Sequence, residues 1–220
     1  MADSSFSLRP ALPADIDDIV TFLLGDFLKR ESLTIALGID RAEAEPFFRF
    51  LTARSVRSGT SLVMHNESNV MVGVRLSELA RRPESGGEGE GERKEADEDA
   101  AFEMNPKVEK IEKLHEVLDK DMWSRIPAEV HTLLFIVIVS VSSDYGRRGL
   151  GARLLHEQLG EGVQGILAES TAISSQNLFH RLGYTLLHEL AHADFLDERG
   201  ERVFNCSDGT DKAQLVMKLV

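Results

Sequence analysis

The segment from residue 133 to residue 159, LLFIVIVSVSSDYGRRGLGARLLHEQL, decides the fold of this chain. Its first part, residues 133–141, is apolar except for Ser140 and rich in β-branched side chains, which is typical of a central strand buried on both faces. After a loop with three glycines, leucines recur at helical spacing at positions 150, 154, 155 and 159. The segment therefore predicts a strand, a glycine-rich turn and a helix within an α/β fold.

The turn between that strand and that helix predicts an anion-binding site. The first N–H groups of a helix lack intrahelical partners, and the helix dipole favours negative charge at that end. Glycines let a phosphate approach the backbone closely. Arg147 and Arg148 place two cations in this turn of a chain whose formal net charge is −12. The turn is neither a Walker loop nor a Rossmann fingerprint, which excludes those two kinds of nucleotide site.

The sequence Arg147-Arg148-Gly149-Leu150-Gly151-Ala152 resembles the pyrophosphate loop of the GNAT superfamily of acetyl-CoA-dependent N-acyltransferases, which reads Gln/Arg-x-x-Gly-x-Gly/Ala. The Gln/Arg position falls on Gly146, and the basic pair is displaced toward Arg147 and Arg148. A second match, SQNLFHRLGY from Ser175 to Tyr184, looks like the family's helix and the Gly-Phe/Tyr step before its sixth strand. A strand-to-helix turn of some other α/β fold is the alternative.

The resemblance implies a mixed α/β GNAT fold, with a central twisted sheet of about six to seven strands flanked by helices, in one domain of residues 1–220. It also implies acetyl-CoA as the co-substrate and no metal. The pantetheine and thioester would lie along Val139, Ser140 and Val141. The pyrophosphate would meet the backbone amides of Arg147, Arg148, Gly149, Leu150, Gly151 and Ala152.

A segment near the N-terminus narrows the resemblance to the invertebrate-type arylalkylamine N-acetyltransferases. In that family Asp-Glu-Pro-Leu follows the first helix, and the segment KRESLT, residues 29–34, stands at the same place here. Glu31 matches the catalytic glutamate, whereas Arg30 replaces the aspartate and Ser32 the proline. A solvated glutamate at a helix end is the alternative for Glu31.

Two hydroxyl groups complete the catalytic site in the resembled family. Counted back from Gly183, their positions fall on Thr171 and Ser175. Many other GNAT enzymes protonate the departing thiolate with a tyrosine four residues before this glycine, but Phe179 stands there and cannot donate a proton. The resemblance therefore leaves this proton transfer to Ser175 or to water.

Apolar periodicity predicts further elements on both sides of the central segment. Strands are expected at residues 6–10, 61–65, 70–79, 166–169, 184–191 and 213–219. Helices are expected from Pro13 onward and over residues 41–56, 105–123 and 171–182. Gly73 predicts a bulge or a close backbone approach within its strand.

Composition excludes several classes of protein. The acidic balance argues against nucleic-acid binding and fits a cationic substrate. A single cysteine, Cys206, excludes an internal disulfide and a cysteine-cluster metal site. Because the chain has no long hydrophobic span, we expect a cytoplasmic protein without membrane contact, either a monomer or a weak homodimer.

Residues 83–103 differ in composition from the rest of the chain. Nine acidic and two basic residues give this segment a net charge of −7, and Phe102 is its one aromatic residue. Such a segment cannot bury enough apolar surface to offset its ordering entropy, so we predict a disordered insertion. It is either an inert spacer or an electrostatic funnel for cationic amines.

The family resemblance implies an enzyme that transfers an acetyl group from acetyl-CoA to the primary amine of a small arylalkylamine such as dopamine, octopamine, tyramine or serotonin. A free alkylamine with a pKa of about 10 is protonated at neutral pH, so a base has to remove its proton before attack. The resemblance assigns that role to Glu31. The alternatives are a GNAT enzyme for a polyamine or a protein amino group, and an acyl-CoA-binding module without catalysis.

Overall fold

The computed structural model describes residues 5–83 and 104–220. Its strands are β1 (Phe6–Pro10), β2 (Leu62–Asn66), β3 (Met71–Arg81), β4 (Thr132–Val141), β5 (Gly165–Ser170), β6 (Thr185–Ala191) and β7 (Lys212–Leu219). Its helices are α1 (Ile16–Gly25), α2 (Ser32–Ala36), α3 (Arg41–Arg57), α4 (Pro106–Leu118), α5 (Leu150–His156) and α6 (Ile173–Arg181). Short 3-10 turns lie at Pro13–Asp15, Phe27–Lys29, Met122–Arg125 and Ser143–Tyr145.

The strands form one mixed sheet in the order β1-β2-β3-β4-β5-β7-β6. The pairs β1/β2, β2/β3, β5/β7 and β6/β7 are antiparallel. Strands β4 and β5 begin side by side, because the Gln164 N–H donates to the Thr132 carbonyl at 2.9 Å, so they run parallel. This seven-stranded sheet flanked by helices confirms the predicted fold class.

The described residues divide into two compact units. The first unit comprises residues 5–31, 40–78 and 136–161, and it contains the turn after β4. The second comprises residues 32–39, 79–83, 104–135 and 162–220. The expected single domain over residues 1–220 stays a prediction. The expected disorder of the acidic insertion does so too, because residues 84–103 lie outside the described part of the chain.

Capping explains where two helices begin. The Asp40 carboxylate accepts the Glu43 N–H, and the Glu43 carboxylate accepts the Asp40 N–H, which forms a capping box at the start of α3. In α4 the Asn105 side chain accepts the Lys107 N–H, and Pro106 occupies the first helical position, where its missing N–H is not needed. The predicted helix over residues 105–123 therefore begins as expected but ends earlier, at Leu118.

In the first unit, β1, β2, β3 and α5 share one apolar cluster. Its buried members are Phe6, Leu62, Met64, Val72, Leu150 and Leu154, with Leu8, Val139, Val141 and Tyr145 packed against them. The pairing of β2 with β3 shifts register beside Gly73, as a bulge requires. A Cβ at Gly73 would lie 3.2 Å from the Ser140 carbonyl oxygen, which confirms the predicted close backbone approach.

Two sequence expectations for the central segment need correction. Strand β4 is buried along its first half, but Val137, Val139 and Val141 are only half-buried, so it is not covered equally on both faces to its end. The helix after the turn ends at His156 and does not reach Leu159. Two residues beyond its end, Gln158 has a φ of +51°, which an α-helix cannot contain.

Candidate functional site

The turn that follows β4 exposes a row of backbone N–H groups. Gly149 caps α5 with a φ of +76°, and Arg147 also has a positive φ, +61°. Within the part of the chain that the structure describes, the amides of residues 147–152 have no hydrogen-bond acceptor. The turn therefore presents donors and two exposed arginines at one place in the first unit.

Tyr145, which sequence reasoning missed, anchors this turn. Its hydroxyl accepts a hydrogen bond from Asn66 Nδ2 at 2.9 Å, and its ring meets Phe6 edge-on with centroids 5.7 Å apart. The Arg148 guanidinium lies over the same ring, 5.3 Å from its centroid. A cation at this distance from an aromatic face is attracted to it, so Tyr145 restrains one of the two cations of the turn.

Arg75 holds the other end of α5. This β3 side chain is fully buried, with 0% of its surface exposed. Its guanidinium donates to four backbone carbonyls, those of Thr60 (2.8 Å), Leu154 (2.8 Å), Glu157 (2.9 Å) and Gln158 (3.0 Å). Because the last carbonyls of a helix lack intrahelical partners and carry its negative pole, a buried cation there is favourable.

The two edges at the end of β4 differ in their backbone hydrogen bonds. The Ser142 N–H donates to the Val72 carbonyl of β3 at 2.8 Å, and the Ser140 carbonyl faces β3 at Gly73. Backbone groups of successive residues point to opposite edges of a strand in an antiparallel ladder. The N–H and carbonyl of Val141 therefore point away from β3, whereas those of Ser140 point toward it. On that edge the Val141 carbonyl accepts from Arg30 Nη2 at 2.9 Å, so a ligand beside the half-buried Val139 and Val141 would meet the Val141 N–H rather than its carbonyl.

Glu31 lies in the first unit, between the 3-10 turn Phe27–Lys29 and α2. Its amide donates to the Phe27 carbonyl at 2.9 Å, which continues the turn by one residue. Only 8% of its surface is exposed. A solvated glutamate at a helix end would be open to water, so this alternative does not match the observed burial.

Thr171 and Ser175 lie together in the second unit, around the start of α6. Thr171 precedes the helix by two residues, and Ser175 is in its first turn. The Ser175 hydroxyl donates to the Ala172 carbonyl at 2.8 Å and lies 2.8 Å from the Ser170 hydroxyl. A serine hydroxyl has one proton, so Ser170 is the donor in the second hydrogen bond. Sequence reasoning missed Ser170.

A second set of polar residues caps α6 from outside the helix. The Ile173 N–H donates to Thr210 Oγ1 at 3.0 Å, and the Thr210 hydroxyl lies 3.0 Å from the Asp208 carboxylate. The buried Ser32 hydroxyl donates to the same carboxylate at 2.7 Å. Partial burial acts to raise the pKa of Asp208, but the Ser32 hydroxyl, the Thr210 N–H and the Thr210 hydroxyl outweigh it, and the pKa lies below its usual value.

Residues 5–83 and 104–220 contain no cluster of three or more His, Cys, Asp or Glu side chains placed to hold a metal ion. No helix within those two ranges has both the length and the apolar character needed to cross a membrane.

Known structures resemble this chain over nearly its whole length. Arylalkylamine N-acetyltransferase 2 of Aedes aegypti is 21% identical with a TM-score of 0.81, and the alignment covers 98% of this chain and 99% of that one. The mosquito protein named "arylalkylamine N-acetyltransferase like 5b" is 23% identical with a TM-score of 0.78, and the alignment covers 98% of this chain and 100% of that one. The polyamine N-acetyltransferase of Drosophila melanogaster, which forms N-acetylagmatine, is 21% identical with a TM-score of 0.72 over 98% and 100%.

No protein-family model and no curated protein matches the chain. The three structural alignments nevertheless each cover 98% of this chain. The resemblance noted from the turn after β4 is thereby confirmed at the level of the fold: this chain has the GNAT acetyltransferase fold.

Proposed function

We propose that this chain is an N-acetyltransferase that moves the acetyl group of acetyl-CoA to the primary amine of a small molecule, with arylalkylamines as the first candidates. One observation carries the proposal: the amides of residues 147–152 have no acceptor in the described structure and stand beside two exposed arginines. In a chain with this fold, such a turn suits the pyrophosphate of a CoA thioester.

The residues of the first unit would bind acetyl-CoA. The pyrophosphate would accept hydrogen bonds from the amides of the turn, with Arg148 held by Tyr145 as a nearby cation. The pantetheine would run along the half-buried edge of Val139 and Val141, with Ser140 between them. Val141, whose backbone points away from β3, is the better donor to the thioester end.

The transfer needs a base and an acid. Glu31 would take the proton of the alkylammonium, directly or through water, and the amine nitrogen would attack the thioester carbonyl carbon. The C–S bond then breaks, and the thiolate takes a proton from Ser175 or from a water molecule. The nitrogen, which has to lose its second proton to become an amide, returns a proton to that donor. Ser175 already accepts from Ser170, which restrains its oxygen, while Thr171 adds a hydroxyl at the same helix start.

A polyamine is the second candidate acceptor. The Drosophila polyamine enzyme is as similar in sequence as the first arylalkylamine enzyme, with 21% identity in both cases. The net charge of −12 suits a polycation, and Arg30 and Ser32 depart from the arylalkylamine motif. A protein amino group as acceptor, and a module that binds acyl-CoA without catalysis, are the two remaining candidates. For the chain itself we propose a cytoplasmic monomer or weak homodimer.

The direct test is an acetyl-transfer assay with purified protein, acetyl-CoA and a panel of aromatic amines, polyamines and peptides. We expect CoA release with at least one aromatic amine, and a kcat/KM at least about tenfold lower for peptides, because small-molecule sites enclose most of their ligand and leave little room for a peptide chain. Detection of the acetylated amine by mass spectrometry distinguishes transfer from hydrolysis. CoA binding without transfer to any amine would support the non-catalytic module instead.

Gly149 supplies a test of the CoA site. A Cβ at Gly149 would meet no described atom within 4 Å, so a side chain there would point into the space that the pyrophosphate needs. We expect Gly149→Val to weaken CoA binding by about tenfold or more in a calorimetric titration, because it prevents close approach of the phosphates.

Gly200→Val is the matched control. Gly200 has the same φ of +76° and equally open surroundings, so both variants carry a backbone strain of about 1 to 2 kcal/mol. Only the Gly149 variant should lose CoA affinity. If folded Gly149→Val bound CoA as tightly as Gly200→Val, the turn would not be the anion site.

A further inference from the structure

Two residues flanking the 3-10 turn before Glu31 hold the end of β4. Asp26 and Arg30 form an ion pair one helical turn apart. The Asp26 carboxylate accepts the Ser143 N–H at 3.0 Å, and Arg30 Nη2 donates to the Val141 carbonyl at 2.9 Å. Asp26 and Arg30 thus bind one backbone donor, the Ser143 N–H, and one backbone acceptor, the Val141 carbonyl. Both groups lie where the chain leaves β4 for the turn.

These two contacts lie on the strand edge that faces away from β3. Ser142, between the two gripped residues, is bonded to Val72 of β3 through its N–H. Three successive residues are therefore held from both edges, the middle one by β3 and the outer two by Asp26 and Arg30. The end of β4 therefore cannot move without breaking at least one of these hydrogen bonds.

Its partners hold the Asp26 carboxylate in place and favour its ionised form. The Asp26 side chain is only 17% exposed. Burial acts to raise its pKa, but the Ser143 N–H and the Arg30 guanidinium outweigh that effect, and the pKa lies below its usual value. An anion held by two partners is a fixed anchor rather than a loose surface charge.

We propose that Asp26 and Arg30 are positioning residues for acetyl transfer. Arg30 is bonded through the chain to Glu31, and through its guanidinium to Val141, so the pair sets the distance between the base and the strand that holds the thioester. This inference rests on the proposed function. The resembled arylalkylamine motif has aspartate at the position of Arg30, and a carboxylate cannot donate to a carbonyl. The link from Arg30 to the Val141 carbonyl therefore belongs to this chain and not to that motif.

The test compares Arg30→Met with Arg49→Met. Arg49 is a matched control in the same unit, because its side chain is 47% exposed against 46% for Arg30 and it also forms an ion pair, with Asp17. We expect Arg30→Met to lower kcat by roughly tenfold or more, since a displacement of about 1 Å can reduce a rate by 10²-fold. The Kd for CoA and the Tm should change no more than in Arg49→Met, which should keep its rate. Arg30→Lys, which retains a cationic donor, should recover part of the loss.

Two further results decide whether the pair acts as one unit. The double variant Asp26→Ala/Arg30→Met should lose little more kcat than Arg30→Met alone, because either change already opens the grip. The proposal would be overturned if the kcat losses of Asp26→Ala and Arg30→Met were additive in the double variant. It would also be overturned if Arg30→Met kept the wild-type kcat, or if Arg49→Met lost as much kcat as Arg30→Met. Hydrogen exchange of the Ser143 amide should accelerate in Asp26→Ala whatever the activity. If the wild-type protein acetylates no amine, the proposed function fails. Independently of that result, Ser143 exchange as slow in Asp26→Ala as in wild type would disprove the role of Asp26 in holding the end of β4.

Discussion

Replacing Glu31 with glutamine is expected to lower kcat by roughly 10²-fold or more while leaving the Kd for CoA within about twofold of wild type. Glutamine keeps the size and the hydrogen-bonding capacity of the side chain but cannot accept the amine proton. Glu31 is 8% exposed, so no bulk-water base replaces it at the same place. The acidic limb of the pH profile of kcat should also be lost or displaced.

The control for this variant is Glu67→Gln, an exposed glutamate in the loop between β2 and β3. It removes the same charge and should leave the rate and the pH profile unchanged. If Glu31→Gln behaved in the same way, Glu31 would be withdrawn as the base while the acyltransferase proposal remained. The search would then turn to a water chain or to His131, an exposed residue just before β4 whose N–H donates to Gln164 Oε1 at 2.7 Å.

Sequence patterns predicted the elements whose cause is local. The β-branched run at residues 133–141 gave β4, observed at Thr132–Val141, because such a run fits a buried strand whatever surrounds it. Helix α3 was predicted at residues 41–56 and observed at Arg41–Arg57, where Asp40 and Glu43 cap it. The glycine turn was placed correctly because glycine is the residue that a left-handed helix start requires.

Local sequence patterns could not predict the hydrogen bonds that position the site residues, because the partners in these bonds are distant in the chain. Ser32 and Asp208 are 176 residues apart, and Arg30 and Val141 are 111 apart. Nothing in the local sequence of Ser32 distinguishes a buried hydroxyl that bonds a carboxylate from an exposed one. One indication was present: Arg30 and Ser32 both depart from the arylalkylamine motif, and both make such contacts.

Helix α5 ended earlier than its leucine pattern indicated for a similar reason. Leu159 has the right spacing, but Arg75, in β3, binds the carbonyls of Leu154, Glu157 and Gln158. A guanidinium that takes carbonyls beyond the helix end holds the chain in a non-helical path. An arginine in the middle of a predicted strand gave no sign of that role, since most arginines are exposed.

Removal of this buried cation gives the largest expected effect on stability. We expect Arg75→Met to lower the free energy of unfolding by about 3 to 5 kcal/mol, measured by urea unfolding. Methionine retains much of the length and apolar volume of the side chain but donates no hydrogen bond. Four carbonyls would lose a donor at once, and a buried acceptor without a partner is unfavourable by about 1 to 3 kcal/mol, with relaxation and water offsetting part of the total.

Arg75→Lys and Arg49→Met separate this effect from a general loss of positive charge. Lysine keeps the charge but lacks the planar fork that reaches four carbonyls, so it should be intermediate and should remain folded if the methionine variant does not. Arg49→Met removes an exposed ion pair and should change the unfolding free energy by less than about 1 kcal/mol. In folded Arg75→Lys the CoA affinity should also fall, because α5 carries the turn at its other end. An unfolding free energy within about 1 kcal/mol of wild type for Arg75→Met would show that water satisfies the four carbonyls, and that Arg75 does not hold α5 in place.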